Sequence, residues 1–266
     1  MEMSLQASYS NYDPDVIDLP AVALNVDVAA NGSEMPVHQH RKGQLVLALR
    51  GGVTCEVSDA LWMVPPQCGV WIPGGMLHSN RATPNARICF LFVEPGAIDL
   101  PNTCCTLSIS PLVREMILYL ASVDPQDGYD PHTRRLVRVL LDELARMPVE
   151  QLHWAISSDP KVRRIAQALV RDPADRSNLP QWADRVAMSE RSLARLIVKE
   201  TGLSFGRWRQ QLHLIVALRE LAAGMSVQQV SAELGYESVT AFITMFKKSL
   251  GRPPAQYFAA LKGGND

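Results

Sequence analysis

A short helix, a tight turn and a capped second helix are written twice within residues 175–257, and this duplication holds the C-terminal part of the chain to a compact all-α arrangement. In the first copy residues 179–187 have helical periodicity, the turn passes through Met188, and Ser189 is placed to cap a helix reaching about Glu200. In the second copy residues 226–234 form the first helix, Gly235-Tyr236 the turn, and Ser238 the cap of a helix ending near Leu250. Gly202 and Gly251 close the two second helices, as glycine commonly does just past a helix end. A helix over residues 205–223 joins the copies and is roughly 28 Å long at 1.5 Å per residue.

Two such units joined by a helix resemble a tandem helix-turn-helix DNA reader. The connecting helix with its flanking turns has the scale of the roughly 34 Å between successive major-groove faces of B-DNA, so one chain could set two helices in adjacent grooves. On the first of these helices Leu193, Leu196 and Ile197 make the buried stripe, and Arg191, Ala194, Arg195 and Val198 take the opposite face. Arginine forks onto guanine O6 and N7, which makes Arg191 and Arg195 candidates for base reading, with Ser189 and Lys199 beside them. On the second helix Phe242, Phe246 and Leu250 face inward; Val239, Thr240 and Thr244 face out, next to the cap Ser238. That face is nearly uncharged and suits thymine methyls and groove shape, with Lys247 and Lys248 on phosphate. Trp182, Trp208, Tyr236 and Tyr257 are core candidates.

Charge agrees with this division. The formal net charge is −1, yet residues 1–158 hold 10 Lys/Arg against 17 Asp/Glu, and residues 159–266 hold 16 against 10. The basic excess sits where a polyanion would be met.

The preceding chain reads differently. Residues 1–20 are a polar N-terminal arm; residues 21–109 carry short β-like runs punctuated by Gly51-Gly52, Pro65-Pro66 and Gly74-Gly75, the pattern of a small antiparallel barrel or sandwich. Over residues 110–147 the period turns helical, with Leu112, Val113, Met116, Ile117 and Leu120 on one stripe and Leu136, Val139, Leu140, Glu143 and Leu144 on the next. These helices could cover the β domain or pair two subunits into a homodimer. Residues 148–158 read as a linker and 159–266 as the DNA-binding domain. The longest apolar run, residues 88–93, falls far short of the roughly 18 residues of a membrane span, and the N-terminus lacks a signal-peptide pattern. A cytoplasmic protein with no membrane partner is expected. Five cysteines have neither the count nor the spacing of a disulfide frame or zinc knuckle, so reduced thiols are expected.

One constellation in the β region carries chemistry. Gly32, His38-Gln39-His40, Gln44 and Gly51 are followed by Pro73-Gly74-Gly75-Met76-Leu77-His78. Strand positions i and i+2 share a face, so His38 and His40 would both point inward. His78 supplies a third imidazole and the Gln44 side-chain oxygen a weaker fourth donor. Such a set suits a divalent first-row transition metal (Zn, Ni, Mn or Fe). Imidazole binds metal only when neutral, so occupancy is expected to fall below about pH 6.5. The alternative is that the histidines line a pocket without metal.

These residues resemble the cupin barrel, whose metal motif has the same Gly, His-x-His and Gly spacing and a later Pro-x-Gly-x2-His. Here Gln44 stands where that family has Glu, Gly69 lies closer to Pro73, and Asn80 comes earlier than the family's late Asn. The C-terminal hundred residues resemble the AraC/XylS regulators through Ala183, Ser189, Leu193, Arg195, Lys199-Glu200-Thr201-Gly202, Phe205, Gly235-Tyr236-Glu237-Ser238, Phe242, Phe246-Lys247, Gly251, Pro254 and Tyr257. Gln210-Gln211-Leu212-His213 departs from it where an arginine is more usual. The resemblance implies a cupin barrel in front of a tandem helix-turn-helix. It also implies a double-stranded DNA operator, a small-molecule effector, and control, as a repressor, of a neighbouring efflux transporter gene. A metal-dependent cupin enzyme with incidental DNA binding is the alternative. Against it, no Asp or Glu is tied to the histidines by spacing and Gln44 cannot act as a general base.

Overall fold

The computed structural model describes residues 12–28, 33–57, 60–64, 67–84, 86–126, 128–150, 153–157 and 159–262; residues 1–11 of the arm and Gly32 lie outside them. The chain divides into two compact units, residues 1–58 with 62–152 and residues 59–61 with 153–266.

The N-terminal unit is built from antiparallel strands β1 (Ala21–Asp27), β2 (Ser33–His38), β3 (Gly43–Arg50), β4 (Val53–Val57), β5 (Ala60–Met63), β6 (Cys68–Ile72), β7 (His78–Ala82), β8 (Arg87–Val93), β9 (Cys105–Ser108) and β10 (Val149–Glu150). One sheet has the order β1-β8-β3-β6-β9-β10, and the second takes β5-β4-β7-β2, a cupin-like pair of sheets. β8 is buried along Ile88–Val93 rather than on alternate residues. Its inner face meets the barrel interior while helices α1 (Pro111–Leu120) and α2 (Pro131–Leu144) pack together beside β1 and β8. A strand covered on both faces loses the polar alternation.

Ser110 and Asp130 cap these helices, accepting from the N–H of Val113 and Thr133 at 3.3 and 2.7 Å, and each is followed by proline at the first helical position. The buried arcs differ from the stripes expected. On α1 they are Val113, Ile117 and Leu120, and on α2 Thr133, Val137, Leu140, Leu141 and Leu144. Packing against each other and the sheet rotates both helices so that Leu112, Tyr119 and Val139 stay exposed, 44–57 %. Residues 148–158, read as a linker, contain β10, which pairs Val149 with Leu107, and a further strand, β11 (His153–Ala155).

The C-terminal unit comprises β11 and helices α3 (Pro160–Arg171), α4 (Leu179–Arg185), α5 (Glu190–Thr201), α6 (Phe205–Ala222), α7 (Val227–Glu233), α8 (Val239–Leu250) and α9 (Pro254–Lys262). Helices α4/α5 and α7/α8 are the two written units, and α6 is the shared strut. Every residue from Leu212 to Leu218 on α6 is buried, because both units use it as a core. Trp208 of α6 stacks on Trp154 of β11, ring centroids 4.8 Å apart and 15° from parallel, and the Trp154 indole N–H donates to the Trp208 carbonyl at 2.8 Å.

Candidate nucleic-acid interface and metal centre

Both second helices are seated by local chemistry. Ser189 and Ser238 accept from the N–H of Ser192 and Ala241, each at 3.2 Å, and Gly202 and Gly251 end the helices at φ 72° and 75°. The first helices carry matching capping boxes, Asn178 with Gln181 and Ser226 with Gln229. The turns are not identical. Left-handed Gly235 (φ 70°) is matched by left-handed Ala187 (φ 50°), and the path from there to the serine cap is one residue longer in the second unit.

On α5, Leu193 and Ile197 are fully buried, Leu196 is only half-buried, and Arg191, Arg195, Val198 and Lys199 are exposed, with Ala194 half-buried between them. Leu196 therefore stands at the edge of the core rather than within it. On α8, Phe242, Phe246 and also Met245 are buried, while Leu250 is half-buried. Thr240, Thr244, Lys247 and Lys248 are exposed and Val239 is half-buried. The Thr244 hydroxyl donates back to the Thr240 carbonyl at 2.8 Å, which turns its methyl into the free chemistry of that face.

Arginines of this unit fall into two groups. Arg185 lies over the Trp182 ring at 4.5 Å and pairs with Asp175 at 3.1 Å; Arg209 donates to the Ser177 carbonyl at 3.1 Å. Arg176 donates to the Gly235 carbonyl and approaches Glu237. Among the described residues, Arg191 and Arg195 have no ion pair or hydrogen bond, so their guanidinium groups are uncommitted. Lys199 is 3.5 Å from the Glu200 carboxylate.

A clamp between the two units had no local signal in the sequence. The loop before α4 is held to the second turn by Arg176 and by buried His213 of α6. The His213 Nε2–H donates to the Pro173 carbonyl (3.0 Å), and Nδ1 accepts from the Tyr236 hydroxyl (3.1 Å). A Cβ on Gly235 would sit 2.9 Å from the Ala174 carbonyl oxygen, so only glycine permits the approach. Burial pushes His213 down to about 4, aided by the charge of Arg209, and raises Tyr236 to about 12. Because the unfolded imidazole titrates near 6.5, the unfolded chain binds the extra proton between about pH 6.5 and 4, and stability falls as the pH drops through that window. The slope reaches at most about 1.4 kcal/mol per pH unit. His213→Gln, which keeps a donor but does not titrate, is expected to flatten this acid limb in thermal melts of the full chain. An unchanged limb would assign it elsewhere.

In the N-terminal unit His38, His40 and His78 come together, a ring nitrogen of each lying within 4.8 Å of the others. The mechanism is not the strand alternation expected. His38 is the last residue of β2, and His40 lies beyond it in the loop to β3. Glycine makes the approach possible: a Cβ on Gly74 would sit 1.9 Å from the Arg41 carbonyl oxygen, and the Gly75 N–H donates to the His40 carbonyl at 2.8 Å. The Asp15 carboxylate accepts from the N–H groups of Arg41 and Lys42, pinning the same loop from the other side.

Each imidazole Nδ1–H donates to a backbone carbonyl: His38 to Pro36 (2.8 Å), His40 to Lys42 (2.6 Å) and His78 to Met76 (2.8 Å). This assigns the tautomer from the network and leaves all three Nε2 lone pairs for the centre. His40 Nε2 lies 2.8 Å from Gln44 Oε1, two acceptors side by side unless a cation or proton lies between them. The buried His78 Nε2 and Gln44 Nε2 have no protein partner. Burial lowers His38, with repulsion from His40 adding to it, and takes His78 to about 4. Both shifts favour the neutral rings that a metal needs. This donor set fits a first-row divalent ion, with orientation of the ligands already fixed.

Two capped helix-turn-helix units on one buried strut define a DNA-binding module, and a helix-turn-helix domain family matches residues 182–260. The chain belongs to the AraC family of transcriptional regulators, a family of DNA-binding proteins and not of enzymes. It is 55% identical over 259 residues to the HTH-type transcriptional regulator NimR of Escherichia coli K12, covering 97% of this chain and 95% of that one. The HTH-type transcriptional regulator RipA of Corynebacterium glutamicum is 33% identical over 97 residues, 36% of this chain and 29% of its own. Among solved structures, ToxT of Vibrio cholerae O395 is 9% identical with a TM-score of 0.39, covering 92% of this chain and 99% of that one. No helix among the described residues is long and apolar enough to cross a membrane.

Proposed function

We propose that the protein is an effector-responsive repressor of a neighbouring efflux transporter gene, whose N-terminal unit holds a divalent metal through His38, His40, His78 and Gln44. The observation that carries the metal is the convergence of three imidazoles, a ring nitrogen of each within 4.8 Å of the others, with every Nδ1 held against a backbone carbonyl. When bound, the ion supplies a Lewis-acidic point to which an effector can attach. The chain's own residues orient the donors, and the Phe92 ring packs edge-on against His40. Efflux control and repression rest on the family resemblance.

On the DNA side, Arg191 and Arg195 of α5 read base edges, supported by Ala194 and the cap Ser189. On α8, Val239, Thr240 and Thr244 read methyls and shape beside Ser238. Lys199, Lys247 and Lys248 contact phosphate. The guanidinium groups of Arg191 and Arg195, which have no internal partner among the described residues and lie on the exposed face of α5, support this assignment. A homodimer through α1 and α2 is supported by the exposed Leu112, Tyr119 and Val139.

The metal is tested by elemental analysis and thermal melts of the purified chain. About one divalent ion per chain is expected. Metal at a hundredfold excess over its Kd should stabilise the unit by about 2.7 kcal/mol. The His38→Ala/His40→Ala/His78→Ala variant should show neither. A variant that lacks metal but keeps its effector response would separate sensing from the ion and sink this reading.

A further inference from the structure

We propose that the N-terminal unit takes a small anion carrying an amide-like hydrogen-bonding edge at its far end, the charge on the ion at the three-histidine centre and the edge on Asn80. This rests on the metal reading above and adds the class of ligand.

Asn80 is 5% exposed, and both its amide nitrogen and oxygen are buried without a protein partner. It lies two residues beyond His78 on β7, so the two side chains share the inner face of the sheet. The register sets His78 opposite His38 and Val57, and Asn80 opposite Met35 and Cys55. Neither Met35 nor Cys55 is a good partner for a carboxamide, and burial pushes the Cys55 thiol up to about 12, keeping it neutral. An unpartnered buried amide is destabilising, and sites that keep one have a use for it. A carboxamide sets one donor beside one acceptor, and its complement is another amide-like edge.

The charge of the ligand follows from the donors. Three neutral imidazoles and the Gln44 amide leave the charge of a divalent ion uncancelled. The opposing inner wall is uncharged: Gln44 is paired with Ile72 and Phe92, and the next layer pairs Val46 with Val70 and Phe90, and Val70 with Thr106. In such surroundings an ion recruits an anion. Asp15 comes near His40, but its carboxylate is taken by the N–H groups of Arg41 and Lys42. Two residues along a strand span roughly 6.6 Å, about the reach of a four-carbon chain between an ion-bound oxygen and an amide.

The full chain loaded with zinc, verified by elemental analysis, is titrated calorimetrically with succinamate, butyrate and butyramide. These are matched in length and differ in having both groups, the charge alone or the amide alone. Succinamate is expected to bind about tenfold more tightly than butyrate, and butyramide most weakly. Asn80→Ala should bring succinamate to the butyrate value while leaving butyrate within about twofold of wild type. Equal binding of succinamate and butyrate, or an unchanged gap in Asn80→Ala, overturns the ligand class while leaving the metal in place. Failure of the wild-type chain to take up zinc overturns the metal reading, and the anion with it. Asn80→Leu gives a readout that needs no ligand: removing an orphaned amide is expected to raise the melting temperature of the metal-free chain by about 2–4 °C. A fall of that size would reveal a structural partner and refute the role given to Asn80.

Discussion

Replacing Trp208 with alanine is expected to destabilise the C-terminal unit by about 3–5 kcal/mol and to remove operator binding at physiological temperature. Trp208 is fully buried and its ring stacks on that of Trp154, with Phe205 at 6.5 Å on the same helix. The substitution removes an indole from a fully buried site, so the lost transfer energy is joined by a cavity cost. A domain of this size has about 5–15 kcal/mol in hand, and such a loss consumes much of it. Because α6 is the common core of both helix-turn-helix units, α5 and α8 should lose their seats together. Urea unfolding followed by circular dichroism should show one early transition for the variant, alongside an N-terminal transition unchanged in midpoint. A cost below about 1 kcal/mol would mean that the stack is peripheral to the unit's stability.

What the sequence made legible depends on range. Ser189, Ser238, Gly202 and Gly251 act on backbone groups within a turn of themselves, so caps and helix limits were readable one residue at a time. The duplicated pattern was legible for the same reason. Ala187 was not, since nothing local marks an alanine that must adopt φ 50° where its counterpart is glycine. On α1 and α2 the expected stripes hold at Val113, Ile117, Leu120, Leu140 and Leu144 but fail at Leu112 and Val139, because the partner helix and strands distant in sequence decide which edge of an apolar face is covered. The motif brings His38, His40 and His78 into one cluster, as the structure does, but the geometry differs from the strand alternation that the sequence suggests. His40 reaches the site by a loop drawn in at Gly74 and Gly75, not by lying on a strand. Arg176, His213 and Tyr236 join segments 23 to 59 residues apart; Tyr236 lies in the turn motif, but nothing local marks Arg176 or His213 as its partners in a clamp.

Arg195→Ala is expected to weaken specific operator binding by about 1–3 kcal/mol, roughly 5- to 150-fold, while leaving non-specific binding nearly intact. The expectation follows from how α5 is held. Leu193 and Ile197 are fully buried and Gly202 fixes the helix end, so the face bearing Arg191 and Arg195 is presented rigidly. Neither guanidinium is committed elsewhere among the described residues, so a base edge can be engaged without breaking an internal pair. A bidentate contact to guanine discriminates among base pairs, whereas phosphate contacts do not and instead set the dependence on salt. The variant should therefore keep the wild-type salt slope on non-sequence DNA. Its loss should also shrink on operators mutated at the single base pair that Arg195 reads. Arg195→Lys should recover little, because a compact ammonium cannot reproduce the planar fork. Gel-shift titrations on operator and scrambled duplexes at several salt concentrations separate the two roles. Uniform losses on every sequence, with a salt slope reduced by about one, would place Arg195 on the phosphate backbone and leave base reading by α5 to Arg191.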